Sequence, residues 1–176
     1  MLKHDDIALR QVAEADIDLF IKWFNDPVIL KFLSVRSPKS AIEERAWLYE
    51  MITKRKKTDL LLVVDVTQNN KTITIGTCGI HKIDHQNRNA EISVIIGEVK
   101  EQSKGYGTKV GQLLLNHCFN NLNLNRVYTG AYSFNKASIR TLKKIGFTKE
   151  GCLRQAIFKN GKFYDIILFG ILKNDY

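Results

Sequence analysis

The sequence predicts a single domain, residues 1–176, of mixed α/β class: a largely antiparallel sheet flanked by helices, with a βαβ unit in its second half. Three observations predict it. The apolar run Leu60-Leu61-Leu62-Val63-Val64 reads as a strand buried on both faces. A strand-to-helix junction after Ile96 carries Gly105 and Gly107 in its loop. Asn160-Gly161, between two strand-like stretches near the end of the chain, marks a hairpin.

Taken in order, Ile7 to Val12 reads as a short strand. Asp16 to Asn25 reads as a helix, with Ile17, Phe20, Ile21 and Phe24 on one stripe, and Asn25-Asp26-Pro27 ends it. Pro38 precedes a second helix, in which Ala41-Ile42, Ala46, Tyr49 and Ile52 recur with helical period. After the Leu60–Val64 strand, Gln68-Asn69-Asn70-Lys71 is a turn. Thr72 to Ile83 is the returning strand, where Gly76 and Gly79 permit close approach. Asp84 to Asn89 is a polar turn. Ala90 to Ile96 follows as a strand with Glu91, Ser93 and Ile95 on one face. A helix spans Thr108 to about Leu122, a strand Arg126 to Ala131, and a helix Asn135 to Ile145, with Asn135 as N-cap and Gly146 closing the end. Two strands, Cys152 to Phe158 and Tyr164 to Leu172, complete the chain.

Composition narrows the classes. With 176 residues and 44% apolar content there is enough for one core and too little for two ordinary domains. No apolar stretch is long enough for a transmembrane helix, and Met1–Asp6 does not read as a signal peptide, so a cytoplasmic location with no membrane partner is expected. Cys78, Cys118 and Cys152 lie 40 and 34 residues apart, which gives no metal-binding spacing. The formal net charge of +9 favours anionic partners, part of it in the run Lys54-Arg55-Lys56-Lys57.

The chemistry is expected at Gln102-Ser103-Lys104-Gly105-Tyr106-Gly107-Thr108. Two glycines allow a tight bend with successive amides pointing one way, and the helix behind adds partial positive charge. Such a bend suits a pyrophosphate, with Lys104 and Lys109 adding formal charge. It is not a Walker A loop, because no Gly-Lys-Ser/Thr occurs in the chain. It is not a dinucleotide fingerprint either, because the third glycine position holds Val110.

Gln-x-x-Gly-x-Gly before a helix resembles the signature of the GNAT N-acetyltransferases. Asn135-Lys136-Ala137-Ser138 followed by Leu142-Lys143-Lys144-Ile145-Gly146-Phe147 resembles a second motif of that family. Glu150–Arg154, Tyr164-Asp165 and the opening Leu9-Arg10 are similar to its RimJ/RimL-like subgroup. The resemblance covers residues 7 to 172 and is strongest from 90 to 170. It implies a seven-stranded, mostly antiparallel mixed sheet with helices on both faces and a splayed central strand pair. It also implies acetyl-CoA as donor, without a metal.

On that resemblance, the backbone of Ile95 and Ile96 holds the pantetheine arm. Gln102, Lys104, Gly105, Tyr106, Gly107 and Thr108 form the pyrophosphate loop, Asn135 meets the cofactor, and Ser138 lies near its sulfur. Transfer to an amine needs a base, and Glu91 on the central strand is the candidate. Many relatives carry a tyrosine acid at the position that is Leu142 here, so Ser138, with Tyr132 in reserve, is the candidate acid. Phe32, Trp47 and His81 are candidates for the acceptor wall.

The expected function is therefore acetyl transfer to a primary amine: a protein N-terminus, an amino sugar or another small amine. The high positive charge disfavours a polycation. The alternative is a non-catalytic module binding ribosome or nucleic acid through Lys54–Lys57, although no aromatic residue interleaves with that run. The terminal strands are a candidate surface for a homodimer.

Overall fold

The strand Leu60–Gln68 (β3) does bury both faces. Leu62, Val64 and Val66 enter one apolar cluster, while Val63 enters a second with Ile17, Phe20 and Trp23. The sheet thus lies between two helical layers, as an unbroken apolar run requires. The computed structural model describes the chain apart from residues 35–39 and 54–57 and the side chains at 44, 48 and 51–53. Pro38, the side chain of Ile52 and the basic run 54–57 lie outside the described residues.

Around β3 the elements follow the chain: β1 (Leu2–His4), β2 (Ile7–Gln11), α1 (Ile17–Phe24), a short α2 (Pro27–Leu30) and α3 (Ala41–Thr53) precede it. After it come β4 (Lys71–Asp84), β5 (Asn89–Ile96), α4 (Tyr106–Asn116), β6 (Arg126–Tyr132), α5 (Lys136–Ile145), β7 (Thr148–Lys159) and β8 (Lys162–Leu172). The sheet order is β1-β2-β3-β4-β5-β6-β8-β7. Every pairing is antiparallel except β5 with β6, which α4 connects.

The sheet has eight strands among the described residues rather than seven. Leu2–His4 turns back at Asp5 (φ 50°) and pairs with β2. A three-residue arm with partly and fully exposed side chains leaves no alternation to read.

Helix α3 forms where expected, but its stripe does not. Ile42 is 81% exposed and Tyr49 68% exposed. It is Trp47 whose ring meets Phe24 of α1, edge-on at 6.5 Å. Period locates a helix; which face packs depends on the neighbour it meets.

Beyond the Thr108 start expected for it, α4 begins at Tyr106, and its last turn widens into a π-helical segment, His117–Asn121. α5 is capped at both ends as read: the Ser138 amide donates to Asn135 Oδ1 at 3.1 Å, and Gly146 closes the helix with φ 109°. At the last turn Asn160 (φ 50°) and Gly161 (φ 76°) both adopt the left-handed region that a two-residue hairpin needs.

Candidate active site

Strands β5 and β6 pair only at Asn89–Arg126, Ala90–Val127 and Glu91–Tyr128. Beyond these, β5 runs on to Ile96 and β6 to Tyr132 without pairing to each other. The split is the splayed central pair. It opens a cleft of about 750 Å³ whose walls include β5 from Ile92 to Ile96, β6 from Thr129 to Tyr132, the α4 entrance and one face of α5. On the split side, the β5 backbone is left to a ligand. On its other side it is bonded to β4 through Ile96.

The entrance to α4 forms one end of the cleft. Ser103 has φ 62° and Gly105 φ 91°, so the chain coils left-handed twice within three residues. This turns successive amides to one side, a geometry that binds anions. Gly105 is the N-cap and has no side chain to satisfy the first amides of the helix, which geometry denies an intrahelical acceptor. Gln102 Nε2 donates to the Ile96 carbonyl at 2.8 Å and ties the loop to the strand end.

Not every loop residue faces the cleft. Tyr106 is buried in the core, its hydroxyl accepting from Gln68 Nε2 at 2.8 Å. Lys104 is paired with Glu101 at 2.9 Å and Lys109 with Asp6 at 2.7 Å. The two lysines expected to charge the loop are thus neutralised locally. Among the described residues, the cations that line the cleft are Arg140 and Lys144 of α5.

Of the expected site residues, the cleft brings together Phe32, Ile95, Ile96, Gln102, Gly105, Gly107, Thr108, Tyr132, Asn135 and Ser138. Phe32 and Tyr132 line the cleft, and both contact Phe134, which is not a lining residue; Phe32 stacks on it at 6.1 Å and Tyr164 meets it edge-on, so part of the cleft wall is aromatic. Burial pushes the Tyr132 phenol above its ordinary range, which keeps it a proton donor at neutral pH. Asn135 caps α5 through the backbone of Ser138.

Glu91, Trp47 and His81 are not among the lining residues. Glu91 holds an ion pair with Lys82 at 2.8 Å. Trp47 packs on α1. His81 reaches the cleft only through Ser93, whose hydroxyl is 2.8 Å from His81 Nε2.

The sequence profile of the acetyltransferase (GNAT) domain matches residues 6–148. The chain belongs to the GNAT acetyltransferase family. It is an acetyl-CoA-dependent N-acetyltransferase, and the cleft fits that donor: a split strand pair for an extended amide-bearing arm, and an amide-lined bend for a diphosphate. The acetyltransferase is 28% identical over 170 residues to the uncharacterized N-acetyltransferase p20 of Bacillus licheniformis, covering 97% of this chain and 94% of that one. It is 24% identical over 173 residues to the spermidine N(1)-acetyltransferase of Vibrio cholerae, covering 98% and 96%. Its fold superposes on the crystal structure of spermidine N-acetyltransferase from Vibrio cholerae in complex with CoA and spermine with a TM-score of 0.88, at 23% identity and 98% coverage of each chain.

Sequence reading missed Ser93, Arg140 and Lys144 as cleft residues of the acetyltransferase. Ser93 was in reach, because alternation already sets it on the same face as Ile95. Arg140 and Lys144 lie four apart on α5 and so share one side of the helix, but nothing local says that this side meets the cleft.

Proposed function

We propose that the acceptor is a single primary amine carried on an apolar or aromatic body, with a protein N-terminal residue the first to test and an amino sugar the second. The observation that carries this reading is the make-up of the cleft: Phe32 and Tyr132 make part of its wall aromatic, and no Asp or Glu among the described residues lines it. A polyamine presents several ammonium groups, each needing a carboxylate or comparable partner once desolvated. One ammonium on an apolar body needs only one proton acceptor and a hydrophobic wall. The relatives that act on spermidine share the fold; the cleft composition argues for a different acceptor.

In this reading the α4 entrance holds the diphosphate, Arg140 and Lys144 face the nucleotide end, and the β5 edge from Ser93 to Ile96 orders the pantetheine arm. Release of free thiol in an acceptor screen tests it, with peptides of varied first residue, an amino-sugar nucleotide and spermidine compared at equal concentration. The expected order places a peptide amine first and spermidine last. Spermidine turning over fastest overturns the acceptor reading.

Two groups are proposed to protonate the leaving thiolate. Ser138 sits at the start of α5, and Tyr132 carries a phenol held protonated by burial. Because a thiolate leaves readily, the loss on removing its donor is modest, about tenfold, which is below the usual range of general acid catalysis. Tyr132→Phe is expected to lower kcat by that amount with KM for acetyl-CoA unchanged. Ser138→Ala compared in the same assay decides between the two.

A further inference from the structure

We infer that Ser93 and His81, with Asp59 behind them, carry the proton off the acceptor amine; this rests on the amine-acetylation reading above. Three strands converge to build the group. Asp59 lies just before β3, His81 is on β4 and Ser93 on β5. His81 Nε2 is 2.8 Å from Ser93 Oγ, and His81 Nδ1 is 3.4 Å from Asp59 Oδ1. Gly79, two residues before His81 and cross-strand from Ser93, makes the arrangement feasible. A Cβ at position 79 would sit 2.6 Å from the imidazole Cε1 and Nε2, so the ring lies in the space a side chain would occupy. The glycine lets the imidazole lie along the strand and end on the serine.

The chemistry follows from one hydrogen bond and one ion-pair contact. Asp59 can only accept, so it favours the tautomer with hydrogen on Nδ1. Nε2 then accepts from the Ser93 hydroxyl. Ser93 lines the cleft, and in the proposed relay its oxygen is left to accept from an incoming ammonium. In the step, the ammonium N–H passes its proton to Ser93 Oγ as the Ser93 proton passes to His81 Nε2. The freed lone pair attacks the thioester carbonyl carbon, the C–N bond forms and the C–S bond breaks with its electron pair on sulfur. The nitrogen's second proton is lost, the thiolate takes one, and the imidazolium returns its proton to water. The balance is one amine cation plus thioester giving amide, thiol and one proton. Ser93 touches the substrate; His81 and Asp59 act through it.

Among the described residues, the charged or titratable groups around the imidazole are Asp59, Glu91 directly opposite on β5, Lys82 paired with Glu91, and Tyr128 opposite Glu91 on β6. Glu91 is held by Lys82, so the relay rather than Glu91 meets the amine.

The test measures kcat as a function of pH with the amine that the acceptor screen selects. His81→Gln keeps a hydrogen bond to Ser93 but cannot take a proton. It is expected to lower kcat about 100-fold, leave KM for acetyl-CoA unchanged and flatten the acid side of the profile. Ser93→Ala is expected to do the same, Ser93→Thr to restore most of the rate, and Glu91→Gln to preserve the profile's shape. An active His81→Gln enzyme with the wild-type profile overturns the relay and leaves the acceptor reading standing. Wild-type protein that releases no thiol with any amine overturns the acceptor reading, and the relay with it. Nitrogen NMR of the wild-type imidazole needs no variant to fold: hydrogen on Nδ1 supports the relay, and hydrogen on Nε2 overturns it.

Discussion

Gly105→Glu lowers kcat/KM for acetyl-CoA by at least about a thousandfold, the scale on which losing preorganised donors acts in a water-poor site. Two effects combine. Gly105 sits at φ 91°, where a Cβ costs roughly 1–2 kcal/mol. Relaxing that strain turns the amides of the bend away from a common centre. The new carboxylate then stands at the mouth of a site built for a diphosphate, and like charges at such range repel strongly. The space is open on the protein side, since a Cβ at 105 meets nothing within 4 Å, so the chain still folds. Calorimetry with CoA is the direct measurement. Gly105→Ala separates the terms: it carries the strain without the charge and should lose far less affinity. If Gly105→Glu bound CoA as tightly as wild type, the bend would not be the diphosphate site.

Arg10→Met destabilises the fold by about 3–5 kcal/mol, the cost of stranding buried carboxylates without their partner. The Arg10 guanidinium donates to Asp16 through two nitrogens at 2.7 Å and to Asp65 at 2.7 Å. Asp16 is 3% exposed and Asp65 is also buried. Burial pushes the Asp16 carboxyl upward, but the hydrogen bonds from Arg10 and from the Ala13 amide, together with the guanidinium charge, outweigh it and leave it below its ordinary value of 3.8. A carboxyl lowered on folding stabilises the protein above its ordinary value, and this contribution fades as pH falls toward the lower folded value. In Arg10→Met the guanidinium is gone, and the Ala13 amide is left to oppose burial without it. The gap between variant and wild type in denaturant melts should therefore be full from neutral pH down to about pH 4 and narrow as pH falls below the ordinary carboxyl value of 3.8 toward about pH 2. A gap that stays constant across that range would show that the ion pair is not its source.

The sequence alone carried much of the architecture, because most of its signals are local. The unbroken run at Leu60–Val64, the caps Asn135 and Gly146 and the Asn160-Gly161 turn each act within one or two turns of chain. Gly105 and Gly107 marked the anion bend for the same reason. Beyond this lay whatever depends on a partner distant in sequence: the β1 arm, the exposed stripe of α3, and Lys104 and Lys109 spent on acids rather than on the loop. Glu91 was expected as a base from its strand position, and its pairing with Lys82 at the bulged end of β4 was not readable from the sequence.

The amino-acid order by itself determined the strand-loop-helix proposed to grip a diphosphate, since glycine conformations and helix-end amides need no distant contact. Tertiary structure alone decided where β5 parts from β6, which cations border the cleft, and that residues 59, 81 and 93 meet. A split between parallel strands and the meeting of side chains from β5, β4 and the entry to β3 are properties of sheet register. Register is set by the whole hydrophobic pattern and not by any one segment.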